Sequence, residues 1–118
     1  MNIKRKSRLE QDIKRYLSQI IHISIRDPRL DHNLTITDVK ITEDMKYAKI
    51  SVSSLGDENK RKESVDILSN AKGYIRKELS SKLITRFTPE LNFFLDDSVE
   101  NSIRINKLLR NIQEEKND

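Results

Sequence analysis

An α+β fold, with helices over one face of a small sheet, is predicted by three features of the chain. Stretches of helical periodicity flank and separate stretches that alternate every second residue or are rich in β-branched side chains. The long central helical stretch carries Gly73, one of only two glycines in 118 residues, where its apolar stripe loses phase. Charged residues make up 36% of the chain and aromatics 5%, so the core must be mainly Ile and Leu beneath a highly charged surface.

Each element follows in order. From Ser7 to about Ser24, Leu9, Ile13, Tyr16, Leu17, Ile20 and Ile21 share one face of an amphipathic helix, which must end by Asp27 because Pro28 excludes helical backbone at the residue before it. Leu34 to Thr42 is β-branched and reads as a strand. Leu34 and Ile36 differ in parity from Val39 and Ile41, so either both faces are covered or a bulge lies near Asp38. Glu43 to Lys46 connects to a second strand, Tyr47 to Ser53, in which Ala48, Ile50 and Val52 face one side. After a loop from Leu55 to Glu58, a broken helix runs from about Asn59 to Leu83. A third strand spans Glu90 to Asp96, and Ser98 caps a last helix to about Ile112 with Val99, Ile103, Ile105, Leu108, Leu109 and Ile112 on it. Residues 1–112 form one domain and 113–118 a polar tail.

The helix break has a physical reason. Val65, Leu68, Ile75, Leu79 and Leu83 form one stripe, and an unbroken helix would set the Lys72 ammonium near its centre. A corner at Ala71, Lys72 and Gly73 changes the phase, brings Lys72 to solvent and exposes amides at the start of the second segment, where an anion can sit. A glycine inside a helix costs about 1 kcal/mol relative to alanine, so Gly73 is expected to serve backbone geometry or close approach.

Composition narrows the function classes. The absence of cysteine removes disulfides and thiolate metal sites and suits a reducing compartment. No apolar run approaches about 18 residues, and neither a signal peptide nor a membrane span fits, so a cytoplasmic protein is expected. The net charge of +4 is segregated: residues 1–29 and 60–86 each carry +5, whereas 30–59 and 87–118 each carry −3. Positive charge on the first helix and around the corner is the footprint of polyanion binding.

A broken helix beside a three-stranded sheet resembles the plan of KH domains, here in the type II order of helix, strand, strand, broken helix, strand. The chain is further similar to the ribosome-binding factor A family from about Arg5 to Ile112. The shared marks are Ile25-Arg26-Asp27-Pro28-Arg29-Leu30, Thr35 to Ile41 leading to Asp44 and Tyr47-Ala48-Lys49-Ile50, and Ala71-Lys72-Gly73-Tyr74-Ile75-Arg76. Arg86, Pro89-Glu90-Leu91-Asn92-Phe93 and Asp96-Asp97-Ser98-Val99-Glu100 complete them. Ser102 departs from the family, standing where a glycine-like residue is expected.

The resemblance implies a KH-like fold with an interrupted Ala-x-Gly corner in place of the GXXG loop. It also implies a monomeric, non-catalytic factor without cofactor that binds the free 30S ribosomal subunit and its 16S rRNA. Such a factor acts late in subunit maturation, promotes processing of the rRNA 5′ end, supports growth in the cold, and leaves with the help of a ribosome-associated GTPase. A general RNA-binding or RNA-chaperone module is the alternative.

On the residues, Lys72, Gly73, Arg76 and Lys77 at the corner, with Arg5, Arg8 and Arg15 from the first helix, are expected to make one phosphate-contacting surface. Tyr74 is expected to fill a gap between helix and sheet, and Phe87, Phe93 and Phe94 to be core or sheet covering. Asp27, Asp96 and Asp97 invite a metal-dependent nuclease reading, but Asp27-Pro28 is turn chemistry, Asp97-Ser98 opens a helix, and no third ligand or general base is in view. His22 and His32 read as structural or surface residues. Arg26 and Arg29 either touch RNA or pair with Asp27 or Asp31.

Overall fold

Backbone hydrogen bonding sets six elements in the computed structural model, which describes residues 3–31, 33–85, 87–96 and 109–110. They are α1 (Ile3–Ser24), β1 (Thr35–Ile41), β2 (Tyr47–Ser53), α2 (Glu58–Asn70), α3 (Lys72–Lys82) and β3 (Glu90–Leu95). The α+β order matches the predicted one. The predicted last helix and polar tail lie outside the described residues except for Leu109 and Arg110, which are helical. His32, Arg86, Asp97, Ser98 and Ser102 lie outside them too. Helix α1 starts four residues before the predicted Ser7, because Lys4, Arg5 and Lys6 are good helix formers that carry no apolar period to announce them.

The sheet order is β1-β2-β3, with β1 antiparallel and β3 parallel to β2. The parity conflict in β1 resolves as a bulge: Ile36 pairs with Val52 and Asp38 with Ser51, leaving Thr37 as the extra residue. Leu34, Ile36, Val39 and Ile41 are all buried as a result. The Thr37 hydroxyl donates to Asp96 Oδ2 at 2.7 Å, tying the bulge to the end of β3 across the middle strand.

Helix α1 packs on β1, α3 lies beside α1, and α2 lies against β3, so the three helices cover one face. Ile13, Leu17 and Ile20 from α1 meet Ile50, Val52 and Leu91 from the sheet and Leu68, Ile75 and Leu79 from α2 and α3 in one core. Each such side chain contributes about 1.5–3 kcal/mol by leaving water. Two polar side chains of α1 also close the outer edge of β1. The Ile41 amide donates to Glu10 Oε2 at 2.8 Å, and Lys14 Nζ donates to the Thr37 carbonyl at 3.5 Å.

Asp31 joins the loops at the other end of the sheet. Its carboxylate accepts from the Ser54 hydroxyl and from the Asn33 and Leu55 amides, and its own amide donates to Ser64 of α2. Burial pushes this carboxyl up, but the Ser54 hydroxyl and the two amides outweigh burial and hold it below the usual carboxylate range. Asp57 caps α2 by accepting from the Lys60 amide at 2.7 Å.

Candidate nucleic-acid interface

The corner forms at Ala71, whose φ of −93° and ψ of 4° interrupt the helix between Asn70 and Lys72. Its amide still donates to Ile67 O at 3.1 Å and its carbonyl accepts from Ile75 N at 2.9 Å, so the two segments remain joined. Ala71 packs against the core, Leu68 and Ile75 are buried on either side of it, and Lys72 stays about half exposed. The phase argument therefore holds at the residue level. No side chain caps α3, so its first-turn amides lack a side-chain acceptor.

Gly73 corrects the reading made of it. It has no positive φ, and a Cβ built on it meets nothing within 4 Å. Neither backbone geometry nor close approach within the chain requires glycine here. What the residue does is leave a bare, exposed stretch of backbone in the uncapped first turn of α3.

The three corner cations differ in their engagement. Lys72 Nζ lies 3.8 Å from Glu90 Oε1, an exposed pair that contributes little and leaves the ammonium open to an anion. Arg76 donates from Nε at 3.1 Å and from Nη2 at 2.7 Å to the Thr88 carbonyl, so it also holds the segment before β3 against α3. Lys77 is exposed on α3.

The α1 cations Arg5, Arg8 and Arg15 are exposed as well. Arg15 is exposed, 3.4 Å from Asp12 and with its guanidinium 4.9 Å above the Tyr16 ring. Arg5 and Arg8 are exposed near the start of α1. Ser24, at the other end of α1, shares a groove wall with Ala71, and Arg8 lies about 24 Å from Ser24 along the helix axis. The chain thus gathers Lys72, Arg76 and Lys77 at the corner and sets Arg5 and Arg8 apart from them.

Two grooves flank the corner. One, of about 600 Å³, is walled by Arg26, Pro28, Arg29, Ala71 and Tyr74. The other, of about 410 Å³, is walled by Gly73, Arg76, Lys77, Ser80 and Phe87. Tyr74 is therefore a half-exposed rim residue and not a filler between helix and sheet, and Phe87, 76% exposed, is not core. Tyr74 departs because Ile75 and Leu79 set the buried face of α3 and leave position 74 toward solvent. Phe93 is buried, and Phe94 covers the opposite face of the sheet.

Arg29 pairs with Asp27: its Nη2 lies 2.8 Å from Oδ2, and its Nε and amide donate to Oδ1 at 3.1 and 2.9 Å. These bonds hold the Asp27 carboxyl down at about 2. Asp27 is thus turn chemistry, and Glu63, 3.7 Å from Arg29, links the turn to α2. Among the described residues no group of three His, Asp or Glu side chains is placed to share a metal ion. No helix among them is long and apolar enough to cross a membrane.

The family model described as ribosome-binding factor A matches residues 5–109. The chain belongs to the ribosome-binding factor A family. A ribosome-binding factor A of Syntrophomonas wolfei is 46% identical over 116 residues, covering 98% of this chain and 95% of that one. The crystal structure of ribosome-binding factor A from Thermus thermophilus superposes with a TM-score of 0.68 at 28% identity, over 76% of this chain and 93% of that one. Coordinates of a Thermus thermophilus ribosome binding factor A, fitted into a cryo-EM map of a complex with the 30S subunit, give 0.65 at 26% identity over 79% and 97%. With the observed element order, these similarities make the domain KH-like, with Ala71-Lys72-Gly73 at the position of the helix corner.

Several members of the interface are not evident in the residue pattern. Arg26 and Pro28 reach the corner only because the end of α1 packs beside the start of α3. The Arg76 contact with Thr88 has no local signal, since it depends on how the segment after α3 returns along the helix.

Proposed function

We propose that the chain binds the free 30S subunit by contacting 16S rRNA with the helix corner, and that it acts in late maturation of that subunit. On this reading it promotes processing of the rRNA 5′ end and supports growth in the cold as a cytoplasmic monomer, without catalysing a reaction and without a cofactor. A ribosome-associated GTPase assists its release. By holding one rRNA conformation it shifts the subunit population toward that state, which requires only differential affinity.

The observation that carries this reading is Gly73. The fold does not need a glycine there, yet the position puts exposed backbone without a side chain, in a first turn that no side chain caps, beside Lys72, Arg76 and Lys77. That arrangement suits phosphate oxygens, which take backbone amides at a helix start and cations around them. The fitted Thermus thermophilus relative supports the choice of partner. Six phosphate contacts, at Arg5, Arg8, Arg15, Lys72, Arg76 and Lys77, would make affinity fall about a thousandfold from low to moderate salt.

Cosedimentation tests it. The chain is expected with free 30S subunits and not with complete ribosomes or unrelated RNA of equal length, and Lys72→Glu with Lys77→Glu is expected to abolish the association. Equal binding to all three would favour a general RNA-binding module. Binding indifferent to salt and to these two reversals would reject the corner as the contact.

A further inference from the structure

Among the described residues, the face of the sheet opposite the helices presents an uncovered row that the corner does not use. Lys40 on β1 pairs in register with Lys49 on β2, and Lys49 pairs with Asn92 on β3. Two like charges directly opposite one another destabilise a sheet. Among the described residues neither ammonium has a carboxylate within ion-pair distance. Glu90 faces Lys72 and Asp96 takes the Thr37 hydroxyl, which leaves Asp38, exposed and in register with Ser51 two residues from Lys40, as the acid on this face without an ion pair among the described residues.

Aromatic rings flank the row. Phe94 is 48% exposed and Tyr47 47%. Phe94 stands opposite the small Ser51, which leaves its ring uncovered, and Lys49 Nζ lies 5.2 Å from the ring centroid. Tyr47, Lys49, Asn92 and Phe94 line a shallow hollow of about 310 Å³.

We propose that this open sheet face is a second nucleic-acid surface that takes a single-stranded RNA segment, with phosphates on Lys40 and Lys49 and unstacked bases on Phe94 and Tyr47. The chemistry favours RNA over protein. A central row of two lysines and an amide is a poor core for a dry protein interface, from which lysine is depleted. Cations beside exposed rings on a flat sheet are what sequence-tolerant single-strand binding uses, and Asn92 adds donors and an acceptor for a base edge. This surface shares no residue with the corner, so it extends the RNA-binding reading without depending on the same contacts.

The test is a fluorescence titration of the full chain with labelled decauridylate at low salt, beside a duplex of equal length. The chain is expected to bind the single strand more tightly than the duplex. Phe94→Ala should weaken it about five- to hundredfold, with Phe94→Tyr restoring most of the loss. Lys49→Gln, which leaves the ring in place, should lower the salt slope by about 0.7. No binding of decauridylate, equal binding of the duplex, or unchanged affinity in both Phe94→Ala and Lys49→Gln overturns the proposal. So does concentration-dependent self-association lost in Phe94→Ala, which would assign the face to a second copy. Failure of the corner is read separately, from 30S cosedimentation of the Lys72→Glu, Lys77→Glu double variant.

Discussion

Arg76 grips the carbonyl of Thr88 with two of its guanidinium nitrogens, at 2.7 and 3.1 Å. A residue expected on its charge to contact RNA is thus also a strut between α3 and the approach to β3. Thr88 is buried, and Ser80 adds a hydroxyl contact to its side chain at 2.6 Å. Arg76→Ala should therefore destabilise the domain by about 1–3 kcal/mol, since the Thr88 carbonyl loses charge-assisted donors. Urea unfolding checks this. Arg76→Lys should recover part of the stability, because an ammonium cannot reproduce the two-nitrogen fork.

Gly73→Ala separates folding from binding in the opposite sense. The position is helical and open, so alanine should stabilise the domain by up to about 1 kcal/mol. The added methyl stands where phosphates are proposed to approach, so 30S cosedimentation should weaken severalfold while the unfolding midpoint rises. A variant that gained stability and kept full binding would show that the backbone there is not approached.

Asp31 sets an acid limit on the fold. Its carboxyl is held below the usual value, so the bonds to Ser54, Asn33 and Leu55 are fully present above about pH 3.9. They are lost as pH falls through the lowered folded value. Asp31→Ala should cost about 1–3 kcal/mol at pH 7 and progressively less as pH falls below about 3.9. Denaturant midpoints of both chains across that range give the comparison.

Glu10 guards an edge. Its carboxylate takes the outward amide of Ile41, at 2.8 Å, which would otherwise be free to pair with another strand. Glu10→Ala should speed amide exchange at Ile41 and promote self-association at high concentration. Sedimentation velocity and hydrogen exchange report the two effects.

Where the determinants are local, the sequence showed them. The parity conflict between Ile36 and Val39 narrowed β1 to a bulge or two covered faces, and the phase of Leu68, Lys72 and Ile75 located the corner, because strand alternation and helix rotation act over a few residues. Tyr47 to Ser53 matched its strand residue for residue. The roles of Gly73, Tyr74, Phe87 and Arg76 were not legible. Each depends on which segment from elsewhere in the chain lies beside it: open space at Gly73, the Pro28 loop near Tyr74, and the Thr88 carbonyl at Arg76. The sheet order likewise depends on how α2 and α3 cross from β2 to β3.

Thr37 is the one residue by which β1 exceeds the stretch of β2 it pairs with. Removing that single residue would restore simple alternation through β1 with Leu34, Ile36, Val39 and Ile41 all still on the core side, and with the pairing to β2 unchanged on either side of it. What the deletion forfeits is the Thr37 hydroxyl bond to Asp96 and the extra twist of a bulge, not apolar burial. A codon-length deletion at position 37 is thus compatible with the buried face of β1, and a graft of this scaffold can trade the bulge for a regular strand there.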